Sequence, residues 1–273
     1  SLDANLTGDN NTAVGHDALS ANTSADNNTA VGKSALGANT TGTSNVAMGM
    51  NTLDANTTGN YNTGIGKSSL GANTTADNNT GIGFVALAAN TTGAQNTALG
   101  GYALTTNTTG DNNVAVGYRT AYLLTTADAN TAIGYQAFYT NTTGASNVAV
   151  GAYALDANTT ASSNTAVGTS SLGSNTTGSS NASVGTNALL TNTTGANNSA
   201  LGRSALQANT TGTGNVAVGY NSLLANTTGV NNVASGDSAL AANTSSNNTA
   251  IGDKALTAST TGTHNTALGN SAL

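Results

Sequence analysis

Two imidazoles, eleven carboxylates and no thiol make up the conventional reactive chemistry of this chain, and they are scattered along it. His16 and His264 stand near opposite ends of 273 residues, and every acid is Asp. A general acid–base pair or a Ser-His-Asp set needs groups that converge, and this spacing brings none together. The chain therefore reads as non-enzymatic, with no catalytic residue, no metal ligand set and no cofactor. Asp26, Asp77 and Asp111 each precede an Asn pair, but other copies of the same stretch lack the acid. A calcium-binding roll would hold Asp at a fixed position, so these three read as turn residues.

The aromatic residues are more suggestive. Eight of the ten lie between Phe84 and Tyr153. Tyr118 and Tyr135 are seventeen residues apart, as are Tyr122 and Tyr139. Stacked at that interval, these four tyrosines are the candidate strip for a sugar or a host surface. Phe138 takes a position held elsewhere by Leu and reads as core.

The element that must position them is a repeat. Glycine recurs every seventeen residues from Gly15 to Gly236, then sixteen on at Gly252, and again at Gly269. Sixteen copies of Asn-Thr-Ala-Val-Gly-x-x-Ala-Leu-x-Ala-Asn-Thr-Thr-Gly-x-x account for residues 1–273 as one array. Self-similarity at a short fixed period signals a solenoid. Positions are counted here from the glycine of each copy. Two Gly and two β-branched clusters per seventeen residues exclude a stable amphipathic helix. Short β-branched runs bounded by Gly and Asn read as strands and turns. The expected fold is all-β, a parallel β-solenoid (β-roll) of sixteen coils, each with two short strands joined by two Asn-marked turns.

Position −4 is Asn in every copy: Asn11, Asn28, Asn45, Asn62, Asn79, Asn96, Asn113, Asn130, Asn147, Asn164, Asn181, Asn198, Asn215, Asn232, Asn248 and Asn265. Asn tolerates left-handed turns, and stacked amides form ladders. Position +7 is also Asn in most copies, broken by Leu124 and Ser259. Its Asn-Thr-Thr triplets match the glycosylation acceptor pattern at Asn39, Asn56 and others, but a glycan on each of a stack spaced ~4.8 Å apart would not fit. A structural ladder is the expectation.

Position −1 is aliphatic nearly throughout, and strand side chains alternate faces. The Val column is therefore assigned to the inside and position −2 to the outside. Position −2 is nonetheless always small: Ala13, Ala30, Ala47, Ala98, Ala115, Ala132, Ala149, Ala166, Ala200, Ala217, Ala234, Ala250 and Ala267, with Gly64, Gly81 and Ser183 as variants. A free outer face would vary as position +1 does. The Ala column is therefore the expected seam between sister chains.

Charged residues form 6% of the chain, with five Lys and Arg against eleven Asp. That leaves no basic groove for nucleic acid. No run approaches the roughly 18 apolar residues of a membrane span, so the chain is not expected to be membrane-embedded. Ser1-Leu2 and Ala272-Leu273 both fall on the Ala-Leu step, without polar caps; a segment of a longer fibre protein is expected.

Asn28 to Leu36 and Asn130 to Phe138 resemble the head repeats of trimeric autotransporter adhesins. The whole chain is also similar to Asn-Thr-Ala-Ile-Gly arrays in phage tail fibres. The resemblance implies a left-handed roll, a homotrimer and a place on a cell or virion surface, with a host-surface or glycan receptor. The Asn-Thr-Thr-Gly turn departs from the shorter adhesin repeat. The function expected is a structural shaft or head segment of an extracellular fibre. The alternative is an ice-binding solenoid presenting Thr and Asn ladders, with Thr pairs such as Thr40-Thr41 and Thr57-Thr58 in ranks. Adjacent Thr residues face opposite ways, which counts against it.

Overall fold

A computed structural model describes the whole chain, Ser1–Leu273. Each copy contributes one three-residue strand at positions −3 to −1, sixteen in all, from β1 (Thr12–Val14) to β16 (Thr266–Leu268). The chain divides into two compact units, Ser1–Ile133 and Gly134–Leu273. In the first, strands β1 to β8 (Thr131–Ile133) pair in sequence order, all parallel and in register, as in Ala30 opposite Ala47. In the second, β9 (Val148–Val150) to β16 do the same. Partners lie seventeen residues apart, except across the shortened copy, where Val233 faces Thr249. Each unit is thus a parallel β-solenoid. No helix is long and apolar enough to cross a membrane.

The expectation of a second strand per coil is corrected. Beyond the glycine the backbone turns left-handed at positions +2 and +4, as at Ser34 (φ 57°) and Leu36 (φ 51°). Position −5 is left-handed too, as at Asn27 (φ 59°). Such a conformation costs a non-glycine residue about 1–2 kcal/mol, so no coil would hold it alone. Neighbouring coils compensate: Ser34 N–H donates to His16 O at 2.8 Å, and Leu36 N–H to Thr52 O at 3.1 Å. The recurrent glycine has its own cause. At Gly83 φ is 139°, and an added Cβ would lie 2.5 Å from the carbonyl oxygen of Gly100 in the next coil.

The assignment of faces is also corrected. The proposed seam residues Ala30, Ala47, Ala98, Ala115, Ala132, Ala149, Ala166, Ala217, Ala234 and Ala250 are fully buried inside the coil. Ala200 and Ala267 are buried as well, and Ala13, at the first rung, is half-buried. The aliphatic column at −1 points outward, with Val14 58% and Leu201 53% exposed. The reason is steric. Leu from +4 and a small residue from +3 already fill the coil, leaving room opposite for a methyl group only.

The exceptions at −2 reveal this packing. A Cβ on Gly64 would lie 2.6 Å from Thr52 Cγ2, and one on Gly81 would lie 2.6 Å from Ser69 Oγ. Ser183 stands where Ser171 Oγ can reach its hydroxyl, at 2.7 Å. In all three cases a +3 residue other than Ala in one coil meets a matching −2 residue in the next.

Candidate functional site

The asparagines are structural. At −4 each carboxamide oxygen accepts the backbone N–H of the Asn one coil on, as Asn28 Oδ1 does from Asn45 at 2.9 Å. Its Nδ2 donates to the carbonyl of position +10, as Asn28 to Gly42 at 2.9 Å. At +7 the amides form a side-chain ladder, with Asn56 Nδ2 donating to Asn39 Oδ1 at 2.8 Å and also to Gly59 O at 3.0 Å. Neither column is left-handed; the amide hydrogen bonds, rather than tolerance of turn geometry, explain these residues. All four Asn are fully buried.

Two buried ladder oxygens lack a partner, Asn107 Oδ1 and Asn226 Oδ1. The sequence accounts for both. The +7 residue after Asn107 is Leu124, which cannot donate. The one after Asn226 is Asn243, in the shortened copy, and its Nδ2 turns to Ser245 Oγ at 3.1 Å.

The turn acids are likewise occupied. Asp26, Asp77 and Asp111 accept the backbone N–H of Asp9, Asn60 and Ala94 in the preceding coil at 2.6–2.7 Å. The Thr pairs lie in a turn. Thr40 Oγ1 donates to Thr57 O at 3.0 Å, and Thr57 Oγ1 to Thr74 O at 3.1 Å.

Two surfaces remain. The first is the outer strand face. Positions −3 and −1 share it, so ranks such as Thr63/Ile65, Thr80/Ile82 and Thr97/Leu99 repeat in register. Thr reaches solvent beside an aliphatic column there, with Met48, Leu99 and Ile251 each about 44% exposed.

The second is the turn just after the glycine. Positions +1 and +2 hold every cation of the chain: Lys33, Lys67, Arg119, Arg203 and Lys254. They also hold Phe84, Tyr102 and Tyr118 in the first unit and Tyr135, Tyr153 and Tyr220 in the second. In the first unit Phe84 meets Tyr102 edge-on at 5.2 Å, and Tyr102 meets Tyr118 at 5.9 Å and Tyr122 at 6.3 Å. In the second, Tyr135 meets Tyr153 at 5.4 Å. Tyr118 and Tyr135 are exposed, while Tyr122 and Tyr139 are half-buried. Phe138 is fully buried.

Tyr118 and Tyr122 are candidate binding residues from the sequence; Phe84, Tyr102 and Arg119, which adjoin them in the fold, are not. The available signal was the collection of cations and rings at two adjacent repeat positions. No protein-family model matches the chain, and no curated protein is similar to it in sequence.

Proposed function

We propose that this chain is a structural segment of a surface fibre, of the adhesin or phage tail-fibre kind, whose copies associate along the outer strand face as a homotrimer outside the cell or on a virion. The aliphatic column on in-register parallel strands carries the reading. Eight strands ~4.8 Å apart and three residues wide present roughly 400 Å² per unit. Each face is within the range of the largest apolar patch on a monomer, a patch that is often functional, and is about half of what a standard interface buries per partner. The seam therefore moves from the Ala column to the Val column. The resemblance to trimeric head repeats supports the number three. Mass photometry tests it: the expected mass is three times 26.3 kDa, and a folded monomer at micromolar concentration would sink the reading.

A second reading is supported by the same face. Outward Thr and aliphatic side chains repeat ~4.8 Å apart across strands and ~6.6 Å apart along them, the kind of regular array an ice plane would need. Thermal hysteresis of the intact chain that is lost in Thr63→Lys plus Thr97→Lys would favour it over the fibre.

A further inference from the structure

The guanidinium of Arg119 sits among three rings of the first unit. Its central carbon lies 5.6 Å from the ring centre of Tyr102, 5.4 Å from Tyr118 and 5.8 Å from Tyr122. The rings come from adjacent coils, so the scaffold sets their spacing. Phe84 extends the group along the axis, and Lys67 Nζ stands 5.9 Å over its ring. Arg119 Nε is buried without an acceptor. No carboxylate pairs with Arg119 or Lys67: the ion pairs of the chain are Ser1 with Asp3 and His16 with Asp17.

Arg119 differs from the other cations of the chain in standing over three rings, where Lys67 and Arg203 each stand over one. Positions +1 and +2 are mostly small or polar in the other coils, and the aromatic group breaks that pattern over three consecutive coils. Such local departures from a repeat concentrate at functional places. Rigid rings also bind at low entropic cost.

We propose that this corner binds an extended, carboxylated polysaccharide. Four properties select that class. The guanidinium is a planar fork that matches a carboxylate with two parallel hydrogen bonds. Tyr and Phe give apolar ring surface to the C–H faces of sugar rings, and Tyr adds a hydroxyl for theirs. The surface has no cavity, which suits a polymer laid along the coils better than an enclosed small molecule. The cations at this corner are two, Lys67 and Arg119, enough to meet one or two carboxylates of a sugar polymer but too few to track the phosphate backbone of a nucleic acid. The site lies within the first unit, and its binding does not require the copies to associate.

The test uses the intact chain in low-salt buffer, titrated calorimetrically with hexagalacturonate, with the neutral cellohexaose and with the oligonucleotide dT12. Hexagalacturonate binding is expected, with cellohexaose at least tenfold weaker. Arg119→Gln should weaken it ~tenfold or more, the equivalent of one charge-assisted hydrogen bond. Arg119→Lys should recover part of the loss, and Tyr220→Ala, elsewhere in the chain, should change nothing. If Arg119→Gln does not fold by circular dichroism, Tyr118→Ala, at an exposed ring, replaces it with the same expectation. Undiminished binding in the variant, absence of binding in the parent chain, or equal binding of dT12 would each overturn the proposal. So would a change in oligomeric mass in Arg119→Gln with sugar binding intact, which would assign the cation to an interface between copies. A monomeric parent chain that binds hexagalacturonate would refute the fibre seam and leave this site standing.

Discussion

The side-chain oxygen of Asn62 accepts the backbone N–H of Asn79, one coil on, at 2.9 Å. The Nδ2 of Asn62 meanwhile donates to Ala76 O at 2.8 Å. One fully buried amide thus completes hydrogen bonds for two backbone groups that no strand pairing reaches. Replacing Asn62 by Leu strands the Asn79 N–H and leaves Ala76 O with Asn73 Nδ2 alone, at 3.1 Å, and the expected cost is about 1–3 kcal/mol. Urea unfolding would measure it; a loss below about 0.5 kcal/mol would show that water takes over the ladder.

The Thr52–Gly64 contact predicts coupling. Gly64 has ordinary strand geometry, so Ala there meets no backbone penalty. Its methyl would strike Thr52 Cγ2. Gly64→Ala alone should destabilise by about 1–3 kcal/mol, as overpacking does. Thr52→Ala with Gly64→Ala recreates the Ala–Ala pair of other coils and should recover most of the loss. Additive effects in this double-mutant cycle would refute the facing of +3 and −2.

One coil has its leucine displaced. Position +4 is Ala121, and the buried Leu124 stands at the Asn position +7. Ala121→Leu with Leu124→Asn restores the common pattern and gives Asn107 Oδ1 its missing donor. The double variant should gain about 1 kcal/mol or more. Leu124→Asn alone should lose about 2–4 kcal/mol, because the core is left with no leucine in that coil. Thermal melts of the three variants would check the order.

Charge on the outer face separates association from folding. Ile65→Lys places an ammonium where the side chain is already 36% exposed. The expected circular dichroism is unchanged and the expected mass is that of one chain. Ala98→Val, on the inner face, should do the opposite and cost about 1–3 kcal/mol of stability. A Lys at position 65 that leaves the oligomer intact would move the seam away from this face.

Acid should strengthen one element of the fold. Burial raises the carboxyls of Asp54 and Asp156 above the ordinary 3.8, against the opposing pull of backbone hydrogen bonds. A folded-state pKa raised this way means that the charged form is the costly one. Their contribution to stability therefore rises as pH falls through the folded pKa, and it is complete below 3.8. Asp54→Asn with Asp156→Asn should flatten that rise and stabilise the chain at neutral pH, as read from melting temperatures between pH 7 and pH 3.

Much of this architecture follows from spacing alone. The seventeen-residue glycine places every strand, because only a left-handed, side-chain-free residue fits where one coil passes over the next. Asn at −4 and +7 foretold stacked amides; at +7 they bond one another, as Asn56 to Asn39, while at −4 they bond backbone groups, as Asn28 to Gly42 and Asn45. What spacing leaves open is phase. Alternation along Thr97-Ala98-Leu99 distinguishes two faces and is symmetric as to which is inside. Only closure of the coil decides, where Leu87 and Ala86 occupy the interior and a second large side chain has no room. The cage about Arg119 was hidden for a related reason: Tyr102 reaches it from the preceding coil to join Tyr118 and Tyr122 of its own, and that neighbourhood exists only once the chain has wound.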